Sequence, residues 1–271
     1  MSNTATVLAF DFGASSGRAI RAVYDGQNLT YEEIHRFENV PIEKDGHLCW
    51  DVETLLKEIH TAIQKAGTFD SLGFDTWGVD FGLLDADGHL LANPVHYRDA
   101  RTNGKPEQAA ACMPAEELYA HTGNQIMAIN TLFQLLALQE QEPELLQKAE
   151  QILFMPDLFA ALLGAEPVCE RSIASTSQML DPRTGQWSRE VLTAYGLKEN
   201  HFAPLVASGT VTGTLTTGAK IIAVAGHDTQ CASAAMPCAE EDAEHTAFLS
   251  CGTWSLLGTE LDAPILTADS C

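Results

Sequence analysis

The run Ile221-Ile222-Ala223-Val224-Ala225-Gly226-His227-Asp228-Thr229 constrains this chain more than any other stretch. It opens as an apolar, largely β-branched segment and ends in a glycine, a histidine and a single carboxylate. Gln230-Cys231-Ala232-Ser233-Ala234-Ala235-Met236, which follows, consists mostly of small residues that a helix accepts. The pattern predicts strand, tight turn, helix, with Asp228 at the helix start. A carboxylate there can cap backbone N–H groups and do nothing more, or it can face a cleft. Two other stretches, one near each end of the chain, bear on that choice.

Thr6-Val7-Leu8-Ala9-Phe10-Asp11-Phe12 reads as a buried strand, and Gly13-Ala14-Ser15-Ser16-Gly17 as a turn of small residues. Arg18 to Tyr24 alternates with period two and returns as a second strand. Asp25-Gly26 then turns the chain into a third, Leu29 to Phe37. The opening is therefore an antiparallel meander and not a Rossmann βα unit. Asp51 to Ala66 is a helix, with Val52, Leu55, Leu56, Ile59, Ala62 and Ile63 on one face, Asp51 as its N-cap and Gly67 as its stop. Ser71 to Asp75 and Val79 to Leu84 are predicted strands on either side of a break at Trp77-Gly78. Arg101 to about Leu163 is mostly helical, with Thr131 to Glu140 apolar on so broad a face that it must be well buried. Asp181 to Gly185 is a turn, Ser188 caps a helix running to Tyr195, and Ala247 to Thr259 closes as strand, glycine turn, strand. No repeat or low-complexity tract interrupts this order.

The 271 residues are 45% hydrophobic, enough for one large domain or two small ones. Fifteen basic residues face 37 acidic ones, a net charge of −22, which argues against nucleic acid or an anionic membrane as partner. Seven scattered cysteines, odd in number and without a C-x-x-C pair, fit a reducing, cytoplasmic setting. No apolar run approaches the roughly 20 residues of a membrane span, and the N-terminus does not read as a signal peptide.

Three motifs can carry chemistry. In Asp11-Phe12-Gly13-Ala14-Ser15-Ser16-Gly17-Arg18, a turn of small residues lets backbone N–H groups converge on an anion. Ser15 and Ser16 add hydroxyls, Arg18 adds a positive charge, and Asp11 could hold Mg²⁺ through water. Ser250-Cys251-Gly252-Thr253-Trp254-Ser255 has the same form, so the two turns could clamp a polyphosphate from two sides. Each alone reads equally well as an ordinary hairpin. Asp228 could accept the proton of a substrate hydroxyl as that oxygen attacks phosphorus. Phosphoryl transfer asks chiefly for positioning and charge neutralisation. Gly213 to Gly218 with Lys220 imitates a P-loop, but the lysine is one residue late and leads into a strand. His227 and Cys231 are too few ligands for a structural zinc site.

With these motifs the sequence resembles the FGGY carbohydrate kinases of the actin-like ATPase superfamily. The resemblance rests on Phe10 to Arg18, Asp75-Thr76-Trp77-Gly78-Val79-Asp80, Tyr97 to Thr102, Asp181 to Trp187, Gly226-His227-Asp228-Thr229 and Cys251 to Ser255, in order along the chain. It implies an α/β, ribonuclease H-like domain, a mixed sheet flanked by helices, over residues 1–244. Residues 245–271 would then open a second actin-like domain of which only the first hairpin is present. It implies transfer from ATP, with Mg²⁺, to a ketose, and the first two motifs favour L-rhamnulose, giving the 1-phosphate.

Carried over residue by residue, Ala14, Ser15, Ser16, Gly17 and Arg18 would meet ATP phosphates, and Thr253 would meet them from the second domain. Asp11 would be a water-mediated Mg²⁺ ligand. Gly78, with Trp77 and Asp80, would meet the sugar. His227, Asp228 and Thr229 would sit at the ketose, with Asp228 as general base on its O1 hydroxyl. The adenosine pocket lies outside the sequence, which keeps two other readings open: a non-catalytic sugar-binding module, and another ketose or polyol kinase of the family. A chaperone-type ATPase is disfavoured, because it needs neither the His227-Asp228-Thr229 group nor the Trp77-Gly78 break. The unpaired closing hairpin also predicts self-association.

Overall fold

A six-stranded mixed sheet carries the molecule. The computed structural model describes residues 4–239, 242, 245–251 and 255–270. Across the sheet the strands run Thr210–Thr214, Lys220–Ala223, Ser71–Thr76, Ala5–Phe12, Ser16–Tyr24, Leu29–Glu38. The last three form the predicted meander. Its first turn is closed by Gly13 N–H donating to the Ser16 carbonyl, its second by Asp25, whose Oδ1 accepts the N–H groups of Gln27 and Asn28. Ser71–Thr76 pairs parallel with both Ala5–Phe12 and Lys220–Ala223.

A parallel neighbour requires a crossover, and helix Val52–Ala66 lies within it. Asp51 caps the helix through Thr54 N–H at 3.2 Å, and Gly67, at φ +67°, ends it where a side chain would be strained. The helix buries Val52, Leu55, Ile59 and Ala62 and packs along Leu29–Glu38 and Ser16–Tyr24. Helix Met155–Leu162 covers the parallel strands, with Phe159 stacked on Phe12 at 4.8 Å.

Three features differ from the sequence reading. The first strand is buried on one face only: Leu8, Phe10 and Phe12 are inaccessible, whereas Ala9 is exposed and Asp11 half-exposed. A continuous apolar run cannot distinguish one covered face from two. Gln151–Phe154, inside the stretch read as helical, is a buried strand paired antiparallel with Phe81–Leu84. Such a short apolar run has no period of its own. The strand predicted to begin at Val79 begins at Phe81, because Val79 adopts φ +67°.

Ala247–Cys251 and Ser255–Thr259 form the predicted hairpin, and among the described residues these strands pair only with one another. Leu249, Leu256 and Leu257 are exposed on it. Thr253, in its turn, lies outside the described residues. The segment after the hairpin runs back over helix Ala115–Thr122, where Tyr119 Oη donates to the Ile265 carbonyl.

Candidate active site

The parallel strands bring three carboxylates to one edge of the sheet. Asp11 and Asp75 are register partners near the C-terminal ends of neighbouring strands. Thr76 N–H donates to the Gly226 carbonyl at 2.9 Å, and Thr76 bridges to His227, so the turn that carries Asp228 runs alongside. The C-terminal edge of parallel strands is where open α/β sheets bind ligands. Burial pushes the Asp75 carboxyl up to about 8, with the Asp11 and Asp228 charges adding to it. Asp75 therefore holds its proton at neutral pH. It sits in the motif Asp75 to Asp80, but nothing in the sequence marked it as a member of the site.

Arg18 lies directly across from Asp11 in the antiparallel pair and binds it through Nη2 at 2.6 Å and Nε at 2.8 Å. Both bonds go to Oδ2, which leaves Oδ1 available. In the turn between them the carbonyls of Gly13, Ser15 and Ser16 are taken by Asn39 and by Gly13 N–H. The N–H groups of Ala14 and Ser15 have no partner among the described residues, so this turn offers donors outward. Gly17 has a different reason to be glycine: a Cβ there would meet the Phe37 ring at 2.3 Å.

Trp77, Gly78 and Asp80 lie on one segment but are not equally open. Asp80 is fully buried. Its Oδ2 accepts from Trp50 Nε1 at 2.6 Å, Trp77 Nε1 at 3.0 Å and Tyr97 N–H at 3.2 Å, and its Oδ1 from Gln134 Nε2 at 2.8 Å. Burial raises its carboxyl to about 6 in spite of these donors. Trp77 is also buried, its ring 4.0 Å from that of Trp50. Gly78 alone of the three is half-open. The next residue, Val79, holds a conformation that a β-branched side chain rarely adopts. It is pinned by Thr176 Oγ1, which accepts Val79 N–H at 2.9 Å, and by Thr131 Oγ1, which donates to its carbonyl at 2.7 Å.

Helix Asp228–Ala234 starts where the sequence placed it, but its N-cap position is His227. Asp228 Oδ1 accepts from the adjacent Thr229, N–H at 2.6 Å and Oγ1 at 3.2 Å, and lies 3.4 Å from His227 Nε2. It caps no later N–H, and 40% of its side chain is exposed. Asp228 is thus no helix cap, and its carboxylate stays partly open. Burial lowers the His227 imidazole, against the opposing charges of Asp228 and Glu170, so the ring is neutral at pH 7. Cys231 is no metal partner for it: its thiol donates to the Ala225 carbonyl at 2.9 Å and is pushed up to about 12.

The family model for the N-terminal domain of the FGGY carbohydrate kinases matches residues 6–234. A rhamnulokinase from Bacteroides thetaiotaomicron is 42% identical over 276 residues, covering 97% of this chain and 56% of that protein. A rhamnulokinase from Lactiplantibacillus plantarum is 39% identical, covering 95% and 54%. The chain thus spans about half the length of these relatives. The ligand-bound xylulose kinase from Lactobacillus acidophilus superimposes with a TM-score of 0.80 at 17% identity, over 98% of this chain and 56% of that one. A carbohydrate kinase from Novosphingobium aromaticivorans gives 0.78 at 22% identity, over 99% and 58%. These likenesses establish the actin-like ATPase fold.

Proposed function

This chain belongs to the FGGY family of carbohydrate kinases, and we propose that it is the sugar-binding half of an ATP-dependent enzyme that converts L-rhamnulose to L-rhamnulose 1-phosphate. The observation that carries this reading is Asp228, a partly open carboxylate set beside a neutral His227 at the strand edge that also holds Asp11. The curated relatives named rhamnulokinase supply the choice of sugar.

In this reading Asp228 takes the proton from the ketose O1 hydroxyl as that oxygen attacks the γ-phosphorus of ATP, whose bond to the β,γ-bridging oxygen breaks to release ADP. His227, Thr229 and Gly78 line the sugar. Trp77 and Asp80 lie beneath it and hold Gly78 in place, which their burial supports better than direct contact. Ala14 and Ser15 N–H groups, with the Ser15 and Ser16 hydroxyls and Arg18, meet the phosphates. Gly17 serves by its close packing on Phe37, and Thr253 would approach from the other turn. Asp11 Oδ1, free of Arg18, suits a water-mediated Mg²⁺. When bound, that ion would offset phosphate charge.

Residues 245–271 are read as the opening of a second domain. The isolated strand pair and its exposed leucines support this, and they equally support self-association. We place the enzyme in the cytoplasm: Cys49, Cys112, Cys169, Cys231, Cys238 and Cys251 are all unpaired, and no described helix is long and apolar enough to cross a membrane.

Asp228→Asn tests the assignment. In the complete enzyme it should lower turnover by about 10²- to 10⁴-fold while sugar affinity, read by calorimetry, stays close to that of the parent. Near-normal turnover would remove Asp228 as the base.

A further inference from the structure

We propose that Glu170 is a positioning residue for Asp228, and that the segment from Glu170 to Thr176 fixes the two sides of the sugar site relative to each other. This rests on the reading of Gly78 and Asp228 given above. Glu170 is 1% exposed, and its side chain is held from two distant parts of the chain. Its Oε2 accepts from Ser172 N–H at 2.9 Å, Ser172 Oγ at 2.6 Å and Ile173 N–H at 3.2 Å, the bonds expected of a helix N-cap. The same oxygen also accepts from Gly226 N–H at 3.0 Å, and Oε1 accepts from Ser208 Oγ at 2.7 Å. A cap needs neither. These extra bonds fasten the cap to the turn that carries His227 and Asp228.

Two further contacts tighten that attachment. His227 N–H reaches Ser172 Oγ at 3.4 Å, so consecutive backbone N–H groups of the turn are directed at Glu170 and at its own partner. Gly226 sits directly on Ile173 and Pro156: a Cβ there would lie 2.9 Å from Pro156 Cγ and 3.3 Å from Ile173 Cβ. The other end of the segment holds the opposite side of the site. Thr176 Oγ1 donates to the Ile173 carbonyl at 2.8 Å and accepts Val79 N–H at 2.9 Å. A Cβ on Gly78 would come within 3.0 Å of Thr176 Cγ2. One segment therefore grips the Gly78-Val79 turn with its C-terminal residue and the Gly226-His227 turn with its N-terminal one. Bonds of a buried carboxylate to N–H donors are strong and directional. The spacing between Gly78 and Asp228 is thereby tied to one short stretch.

The test uses the 271-residue chain and its Glu170→Gln, Thr176→Val and Thr176→Ser variants. Amide hydrogen exchange reads the turns, and calorimetric titration with L-rhamnulose reads the site. In Glu170→Gln, exchange at Gly226 and His227 should quicken by about tenfold or more and sugar affinity should weaken by a similar factor, the size expected when a charged hydrogen bond is lost. Exchange at Leu8 and Phe10, in the central strand, should not change. Thr176→Val should do the same at Val79, and Thr176→Ser, which keeps the hydroxyl, should restore both readouts. Unchanged exchange at Gly226 in Glu170→Gln would overturn the proposal. So would faster exchange with undiminished sugar affinity. If Glu170→Gln does not fold, the two Thr176 variants decide: a Val variant that binds like the parent refutes the bridge. If the parent chain binds no ketose, the sugar assignment fails, and the exchange data still decide whether Glu170 holds the turn.

Discussion

Replacing Asp75 by asparagine should stabilise the protein, and by more as the pH rises. In the folded chain the Asp75 carboxyl is raised from 3.8 to about 8, mainly by burial and then by Asp11 and Asp228. Between those two values the folded state keeps a proton that the unfolded chain has released. Stability therefore falls as pH rises through that window and levels off above about 8. At 1.36 kcal/mol per pKa unit the full effect would approach about 6 kcal/mol. Asp75 keeps some contact with solvent, and screening brings the expectation to about 2 kcal/mol. Asparagine cannot ionise, so the variant should match the parent near pH 4 and exceed it by about 2 kcal/mol near pH 8. Urea denaturation of both proteins from pH 4 to 9, with chelator present to keep cations off Asp11, measures the difference. Asp80 and Asp157 titrate in both proteins and cancel. Two stability curves that run parallel across the window would refute the claim that burial, with the Asp11 and Asp228 charges, holds the Asp75 carboxyl raised.

Gly17→Ala should cost about 2–3 kcal/mol in urea, because its Cβ would overlap the Phe37 ring held under the sheet. Unaltered stability would show that the strand pair yields. Asp80→Ala strands the indole N–H groups of Trp50 and Trp77 and the Tyr97 backbone N–H in a closed interior, and should cost about 3–5 kcal/mol. Thermal unfolding should show it as a drop of several degrees, with Asp80→Asn much milder. Asp157 is buried, and burial raises its carboxyl well above the usual range. Asp157→Asn should change stability by less than about 1 kcal/mol at pH 7, and a loss of 3 kcal/mol would mean that the group is ionised.

The fold was most legible where local pattern and tertiary demand agree. The meander, helix Val52–Ala66 and the strand-turn-helix around Asp228 each carry their own turn or cap, and each stands within a residue or two of its predicted place. What escaped were features decided by partners far along the chain. Strand Gln151–Phe154 is a strand because Phe81–Leu84 pairs with it. Val79 leaves the extended region because Thr131 and Thr176 fix it from both sides. The candidate site divides in the same way. Asp228 and the Gly13 to Gly17 turn were visible as motifs. Glu170 and Thr176 lie in no motif and no periodic pattern, and their partners Gly226 and Val79 are far away along the chain. Trp77 and Asp80 fall in one sequence motif, but spacing cannot tell a residue lining a pocket from one beneath its floor.

The charge at this strand edge sets opposite conditions for the two halves of the proposed reaction. A ketose is neutral and rich in hydroxyl donors, and carboxylates are acceptors, so Asp228 can bind sugar without opposing charge. Asp75, protonated at neutral pH, adds a donor without adding to the repulsion. ATP meets the reverse situation on a chain of net charge −22. The cation beside the Gly13 to Gly17 turn, Arg18, is already paired with Asp11. What the turn has to offer is the dipole of the Ala14 and Ser15 N–H groups, without a partner among the described residues, which orients an anion but does not neutralise it. On this reading the structure favours the sugar by itself and leaves the phosphates dependent on charge brought from outside the turn. The paired carboxylate of Asp11, with one oxygen free, stands where a cation could supply it.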